Sequence, residues 1–388
     1  MNRSALSPGL DQSAPPPALR TPYDHIFNDD LLMNDRDLAF ASSAFPKIIH
    51  VLDNPRLREK FAEYEKEANH ARDWVRRLGF SAVISAALAL LAVATKPVWP
   101  HTPWARWMAI GVELGGMLAA VMAATGLILG PWKRRWLESR LMTERLRQWH
   151  FQLLARRGQQ IEASCKDANE VANFEKERAH WLDDFLIAHE GQLETQLEKL
   201  TSEAGHAETW LHKPANGYSN DSAALEQVFQ AYKRLRFDHQ RDYAIYKLRT
   251  SRDAPFWQFL KWPAKLQMAA LSGAATVCFA CALGCSAVLV WGYTFGIATN
   301  VELYVRTWAV AVAVVGAALR TLQDGLAPDK EIERYKDYRG RTSQLCDRFE
   351  HTIDPKERLR LMEELEIASG DEMRGFLRTH HNAKFVLA

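Results

Sequence analysis

Several features common in soluble and secreted proteins are missing from this chain. The N-terminal region contains Pro and Ser but no apolar core after Met1, so no cleaved signal peptide is expected. Any membrane insertion would then depend on internal segments. Cysteine is scarce, with 5 among 388 residues. Cys278, Cys281 and Cys285 share one apolar block, while Cys165 and Cys346 stand alone in polar stretches, which excludes a secreted disulfide framework. The three clustered cysteines have no fourth ligand nearby, so small apolar packing explains them better than a metal site. A charge excess is also lacking. Lys and Arg number 49 against 47 Asp and Glu, a net charge of +2 that gives no general reason to expect nucleic acid. No Gly-rich phosphate loop, G-x-S-x-G elbow, zincin helix or potassium-filter sequence is present, and neither an enzyme nor a cofactor is expected. His380 with His381, and His206 with His212, read as surface residues.

Long apolar runs are what the chain does have. Its mean hydropathy of -0.27 hides them, because the remainder is dense in charge. A bilayer core about 30 Å thick needs about 20 apolar residues in a helix, since unpaired backbone groups are too costly in hydrocarbon. Four stretches meet or approach this: Gly79 to Val98, Trp107 to Trp132, Leu266 to Trp291 and Leu303 to Leu322. Short connections, one Pro-rich and one containing Gly292, Gly296 and Asn300, pair them into hairpins over 79–132 and 266–322.

Basic residues orient both hairpins. Arg72, Arg76 and Arg77 precede the first and Lys133, Arg134, Arg135 and Arg140 follow it. Lys247, Arg249, Arg252, Lys261 and Lys265 precede the second, and Arg334, Lys336, Arg339 and Arg341 follow it. The loops are poor in Lys and Arg, so both termini are expected in the cytoplasm. Trp99, Trp104 and Trp107 suit the outer interface and Trp132, Trp136, Trp257 and Trp262 the inner one. The expected fold is all-α, a membrane protein with four transmembrane helices in two hairpins and long cytoplasmic helices.

The two halves repeat weakly. FAEYEKEANHARDW (Phe61 to Trp74) stands before the first hairpin and FQAYKRLRFDHQRDY (Phe229 to Tyr243) before the second, while ERAHWLDDFL (Glu177 to Leu186) resembles EMRGFLRTHH (Glu372 to His381). A parallel tandem duplication follows, with a pseudo-twofold axis along the membrane normal. The expected organisation is a flexible tail over 1–45, a first repeat over 46–212, a linker over 213–222 and a second repeat over 223–388. Apolar residues at helical spacing, Leu182, Leu186, Leu193 and Leu197, then Leu225, Phe229, Tyr232 and Leu235, form stripes that pack either within the chain or between subunits.

Polar groups inside the spans are costly and therefore informative. Glu113 either lines a wet lumen or reaches the outer headgroups. Arg306 and Arg320 bracket the charge-free stretch of the fourth span. They either snorkel outward or line a pore, with Glu302 pairing with Arg306. Gly111, Gly115, Gly126, Gly130, Ala309, Ala313 and Gly316 suit close helix crossing.

Tyr232, Arg236, Gln240 and Tyr243 before the second hairpin, Glu331, Tyr335 and Tyr338 after it, and EELEIASGDEMRGFLRTHHNAKF at the C-terminus together form a pattern. It resembles the SMODS- and SLOG-associating two-transmembrane effector (SLATT) family, over about residues 225–388 and in degraded form over 57–200. The first copy departs from it, having a Trp/Arg-rich helix in place of the Tyr-rich one. The resemblance implies an anti-phage effector of the bacterial inner membrane that oligomerises to form a pore or perturb the bilayer. A soluble sensor protein or a nucleotide signal would trigger it. A non-conducting scaffold that docks a soluble partner is the alternative.

Overall fold

The computed structural model describes residues 28–99, 102–191, 193, 195, 210–212, 218, 223–251, 254–295 and 300–383. Every regular element among them is helical. Residues 28–45, expected within the tail, instead form a short 3-10 turn (Asp29–Leu31) and helix α1 (Asp35–Ala44), and Leu31, Leu32 and Ala41 are buried. Local pattern misses them because ten residues capped by Asn34 make a helix that is held by tertiary packing rather than by length. Residues 1–27, most of the 213–222 linker and the apolar stripe beyond residue 195 lie outside the described residues.

After α2 (Ile49–Leu52), the 41-residue α3 (Pro55–Thr95) starts where Asn54 accepts a hydrogen bond from the Leu57 amide and Pro55 occupies the first turn. It runs unbroken from a charged segment into the first apolar run. Then come α4 (Pro103–Leu129), α5 (Trp132–Arg156), α6 (Gly158–Ser164) and α7 (Ala168–His189), the last capped by Asp167. In the second half, α8 (Ala223–Tyr232), a π-helix (Lys233–Asp238) and α9 (His239–Lys247) lead to a 3-10 segment (Phe256–Lys261). They are followed by α10 (Ala264–Phe295), α11 (Asn300–Leu326), α12 (Pro328–His351) and α13 (Pro355–Asn382). Ala327 takes a left-handed backbone (φ 47°) ahead of Pro328, because a residue before proline is discouraged from the right-handed helical region, and the chain turns there.

Four of these helices are long and apolar enough to cross a membrane, and they match the four runs read from the sequence. α3 packs on α4, α10 on α11, and α11 on α3. The four therefore stand in the order α4, α3, α11, α10, with Leu88, Leu118, Val121, Leu283 and Trp308 among the many exposed apolar residues. Val83 and Ala87 meet Leu271, Ala318, Leu322 and Leu326 near the charged base of both hairpins, so the hairpins rise side by side.

The charged helices pack into a bundle with an apolar core of its own. Trp149, Phe151, Phe61, Phe237 and Tyr232 are nearly inaccessible at its centre. The stripes Leu182, Leu186 and Leu225, Phe229, Tyr232, Leu235 are consumed here, within one chain. Trp136, expected at the lipid interface, is instead a core residue packed against Phe376 and His380. Residues from both halves contribute to the one core.

Trp149→Ala is expected to lower unfolding stability by about 3–5 kcal/mol, the usual cost of emptying a buried aromatic site. Gly116→Val should loosen the first hairpin, since a Cβ there would lie 2.9 Å from the Ser85 carbonyl. Thermal unfolding in detergent, followed by circular dichroism, measures both.

Candidate functional site

The bundle's polar side chains are not all at its surface. Helix α5 carries Arg140, Glu144 and Arg147 on one stripe at spacings of four and three, so successive turns place charge on the same side. Arg140 Nη2 is 2.5 Å and Arg147 Nη1 2.8 Å from the same Glu144 oxygen. Burial acts to raise the Glu144 carboxyl, but Arg140 and Arg147 outweigh it and hold the group at about 2.

A second pair lies across the core. Arg236, in the π-helix, meets Glu366 of α13 through two parallel bonds, Nε–Oε1 at 2.8 Å and Nη2–Oε2 at 2.9 Å. Their side chains are 1% and 0% exposed. Tyr232 donates to Glu366 Oε1 at 2.7 Å, Tyr338 donates to Gln240 at 2.9 Å, and the Tyr338 and Ser369 hydroxyls are 3.0 Å apart. Burial raises the Tyr232 hydroxyl well above its ordinary range, so it stays a donor.

Nearer the apolar helices, His380 Nε2 is 3.1 Å from Glu331 Oε1. Burial alone would raise Glu331. The hydrogen bond from His380 and the charges of Arg334 and Arg76 more than offset it and hold the carboxyl well below its usual range. Arg334 lies over the rings of Tyr335 and Phe376, at 4.7 and 5.2 Å. Its Nε is 3.0 Å from Glu372 Oε1, an ion-pairing distance, but off-line for a hydrogen bond. Tyr243 and Tyr335, hydroxyls 3.5 Å apart, stand between this cluster and Arg140. Arg76, on α3, donates to the Leu260 carbonyl at 2.9 Å and so ties the base of the first hairpin to the segment leading into the second.

The sequence motif residues Tyr232, Arg236, Gln240, Tyr243, Glu331, Tyr335 and Tyr338 thus belong to linked parts of one interior network. Glu144 and Arg147 were not singled out from sequence; Arg140 and Arg334 entered only as orienting charges, and Glu366 and Glu372 only within the C-terminal pattern. Charged residues default to the surface, and only tertiary contacts bury them. His380 and His212, expected at the surface, are buried. His212 bonds the Trp149 carbonyl at 2.9 Å, and burial lowers it to about 4. His206 lies outside the described residues.

The residues proposed from the spans are dispersed. Glu113 is half-buried on α4, away from the others on α11. Glu302 accepts a hydrogen bond from Tyr293 of the neighbouring helix, not an ion pair from Arg306. Arg306 and Arg320 are exposed, and Arg320 donates to Gln323 at 3.1 Å. A rise of about 1.5 Å per residue puts the two arginines about 20 Å apart along α11. Gly316 packs closely, since a Cβ would come within 3.2 Å of Cys278 and Phe279, and Gly126 lies against Leu78. Gly130 folds back on the Gly126 carbonyl at the end of α4. Gly111 and Gly115 face open space, whereas the close contact with α3 is made by Gly116. Ala309 and Ala313 are half-buried.

Asp238, Cys346 and Glu350 converge closely enough to hold a metal ion. Lys233 Nζ already lies 3.1 Å from Asp238 and 3.0 Å from Glu350, and burial raises the Cys346 thiol to about 11. A protein ammonium therefore takes the cation's place. No family model, curated protein or solved structure matches the chain.

Glu366→Ala should destabilise the fold by about 3–5 kcal/mol by leaving Arg236 buried and uncompensated, and adding Arg236→Met should recover most of the loss. Because Glu144 titrates lower in the folded state than its ordinary 4.5, its contribution is complete above that pH and is lost as pH falls toward about 2. Unfolding temperature should fall through that window, and less steeply in Glu144→Gln.

Proposed function

We propose that the chain is a multi-pass protein of the bacterial inner membrane, with both termini cytoplasmic. In this reading it oligomerises to form a pore or perturb the bilayer when its cytoplasmic bundle receives a signal from a soluble sensor or a nucleotide. The observation that carries the reading is the division of the molecule. Four apolar helices expose large hydrophobic faces, and all four are rooted in a bundle that buries ion pairs beside its apolar core. Lipid is the natural cover for such faces. Among the described residues the four helices contact in the order α4, α3, α11, α10, so in this reading conduction takes further copies of the chain. The buried ionic network supplies discrete contacts that a signal can rearrange and that helices α3, α5 and α12 carry to the base of the hairpins.

Tandem duplication fits the order of elements. Each half has a charged helix, an apolar hairpin, a helix beginning at a proline (Pro131 or Pro328) and a final helical region. The spacing between the recurring residues differs by one. His70 follows Tyr64 by six positions and His239 follows Tyr232 by seven, and the added residue falls in the segment that forms the π-helix, as an insertion into a helix does. SLATT-like effectors remain the resemblance that unites these features.

The chain should remain with membranes after alkaline carbonate washing, and a Lys213→Cys variant should label only from the cytoplasmic face. In liposomes, the triggered protein should pass ions, with Arg320→Ala and Glu113→Ala changing the flux. A tightly sealed vesicle under triggering conditions would turn the reading toward a scaffold.

A further inference from the structure

The residues from Asn28 to Leu32 are built into the bundle in an unusual way. Three polar groups in succession enter the region between the two halves. Asn28 is 4% and Asp30 0% exposed. Arg147 of α5 reaches both, with Nε 2.7 Å from Asp30 Oδ2 and Nη2 2.8 Å from Asn28 Oδ1. The Asn28 amide donates to Glu65 of α3 at 2.8 Å. His239, which follows the π-helix, lies 3.0 Å from Asp29 and 3.7 Å from Asp30. A five-residue segment therefore joins the helix leading into the first hairpin, the helix leaving it, and the helix leading toward the second.

The seat is held by charge but is not comfortable. Asp30 Oδ1 is buried with no hydrogen-bond partner, and a buried carboxylate oxygen left unsatisfied costs stability. Leu32 adopts a left-handed backbone (φ 54°), which a leucine side chain disfavours. Favourable charge contacts combined with strain are what a contact needs if it is to be both specific and releasable. Behind the segment, Arg147 shares Glu144 with Arg140, so withdrawal of Asp30 removes a carboxylate from a cluster in which two guanidinium groups already divide one.

We infer that Asn28–Leu32 is an autoinhibitory latch. Seated, its carboxylates fix Arg147 and His239 and hold α3, α5 and α9 in the closed arrangement; unseated, it removes Asp30 from the Arg140–Glu144–Arg147 cluster, and the changed charge balance drives these helices to repack. This rests on the reading of the apolar hairpins as a conducting element only for its consequence, not for the latch itself.

The test uses the full chain in liposomes, with the five native cysteines replaced and Leu31→Cys, a position 2% exposed, as the reporter. Maleimide labelling of this cysteine should be slow with Asp30 present and faster by at least about a hundredfold with Asp30→Asn, the lower end of what loss of a buried charge partner produces. Ion flux should rise in parallel. Asp30→Glu, which keeps the carboxylate, should keep labelling slow and flux low, and retained helicity in Asp30→Asn separates latch release from unfolding. Unchanged labelling in Asp30→Asn, or labelling of Asp30→Glu as fast as that of Asp30→Asn in a protein that retains its helicity, overturns the latch. Fast labelling with no flux overturns the conducting reading and its control by this contact.

Discussion

Arg236 and Glu366 must find one another for the bundle to close. Each ion alone would lose its hydration on burial at a cost of several kcal/mol, and only a two-bond, tightly aligned pair with further donors offsets that. The pair is aligned in this way, and Tyr232 supplies an additional donor to Glu366. One partner comes from the start of the second half and the other from its last helix, so that half cannot settle until its two ends meet. The aromatic core around Trp149 and Phe151 then packs over residues whose positions the ions dictate, with Arg236 directly above the Phe151 ring at 4.9 Å. Apolar burial contributes the driving force, and the buried charges select the arrangement in which it is realised.

The two hairpins meet this bundle differently. Helix α3 passes from the bundle into the apolar layer without a break, so a displacement at Glu65 or Phe61 moves the base of the first span as a rigid rod. The corresponding route in the second half is interrupted between α9 and α10, where Pro255 and Pro263 flank the 3-10 segment and Trp262 bonds the Ala254 carbonyl. Arg76 bridges the two routes through Leu260. Motion delivered along the rigid first path would thus reach the second hairpin laterally, through Arg76 and the α3–α11 contact.

Much of this architecture was legible in the residues. The apolar runs, their pairing and the prolines between elements all have strong local signatures, and the four helices fall where hydropathy places them. The interior charge was not legible, because an Arg on a polar helix looks the same whether it faces water or Glu366. Helix phase explains a smaller error. Gly115 and Gly116 are adjacent but point about 100° apart, and sequence alone could not say that Gly116 was the one facing Ser85 and Ala89. The short helix at 35–44 escaped for a third reason, since what holds it is the core beneath Leu31, Leu32 and Ala41 rather than any strong periodicity of its own.

The π-helix at Lys233–Asp238 has a geometrical corollary. In an α-helix, one residue more advances every later side chain by about 100° around the axis. Absorbing the surplus within a single wide turn leaves the residues beyond it in their former phase and confines the change to the bulge itself. A chain built this way can gain a residue without scrambling the faces on either side. Arg236 sits in that turn, and under the proposed duplication the widened turn is where the second half would have acquired a buried ionic partner for Glu366 that the first half lacks.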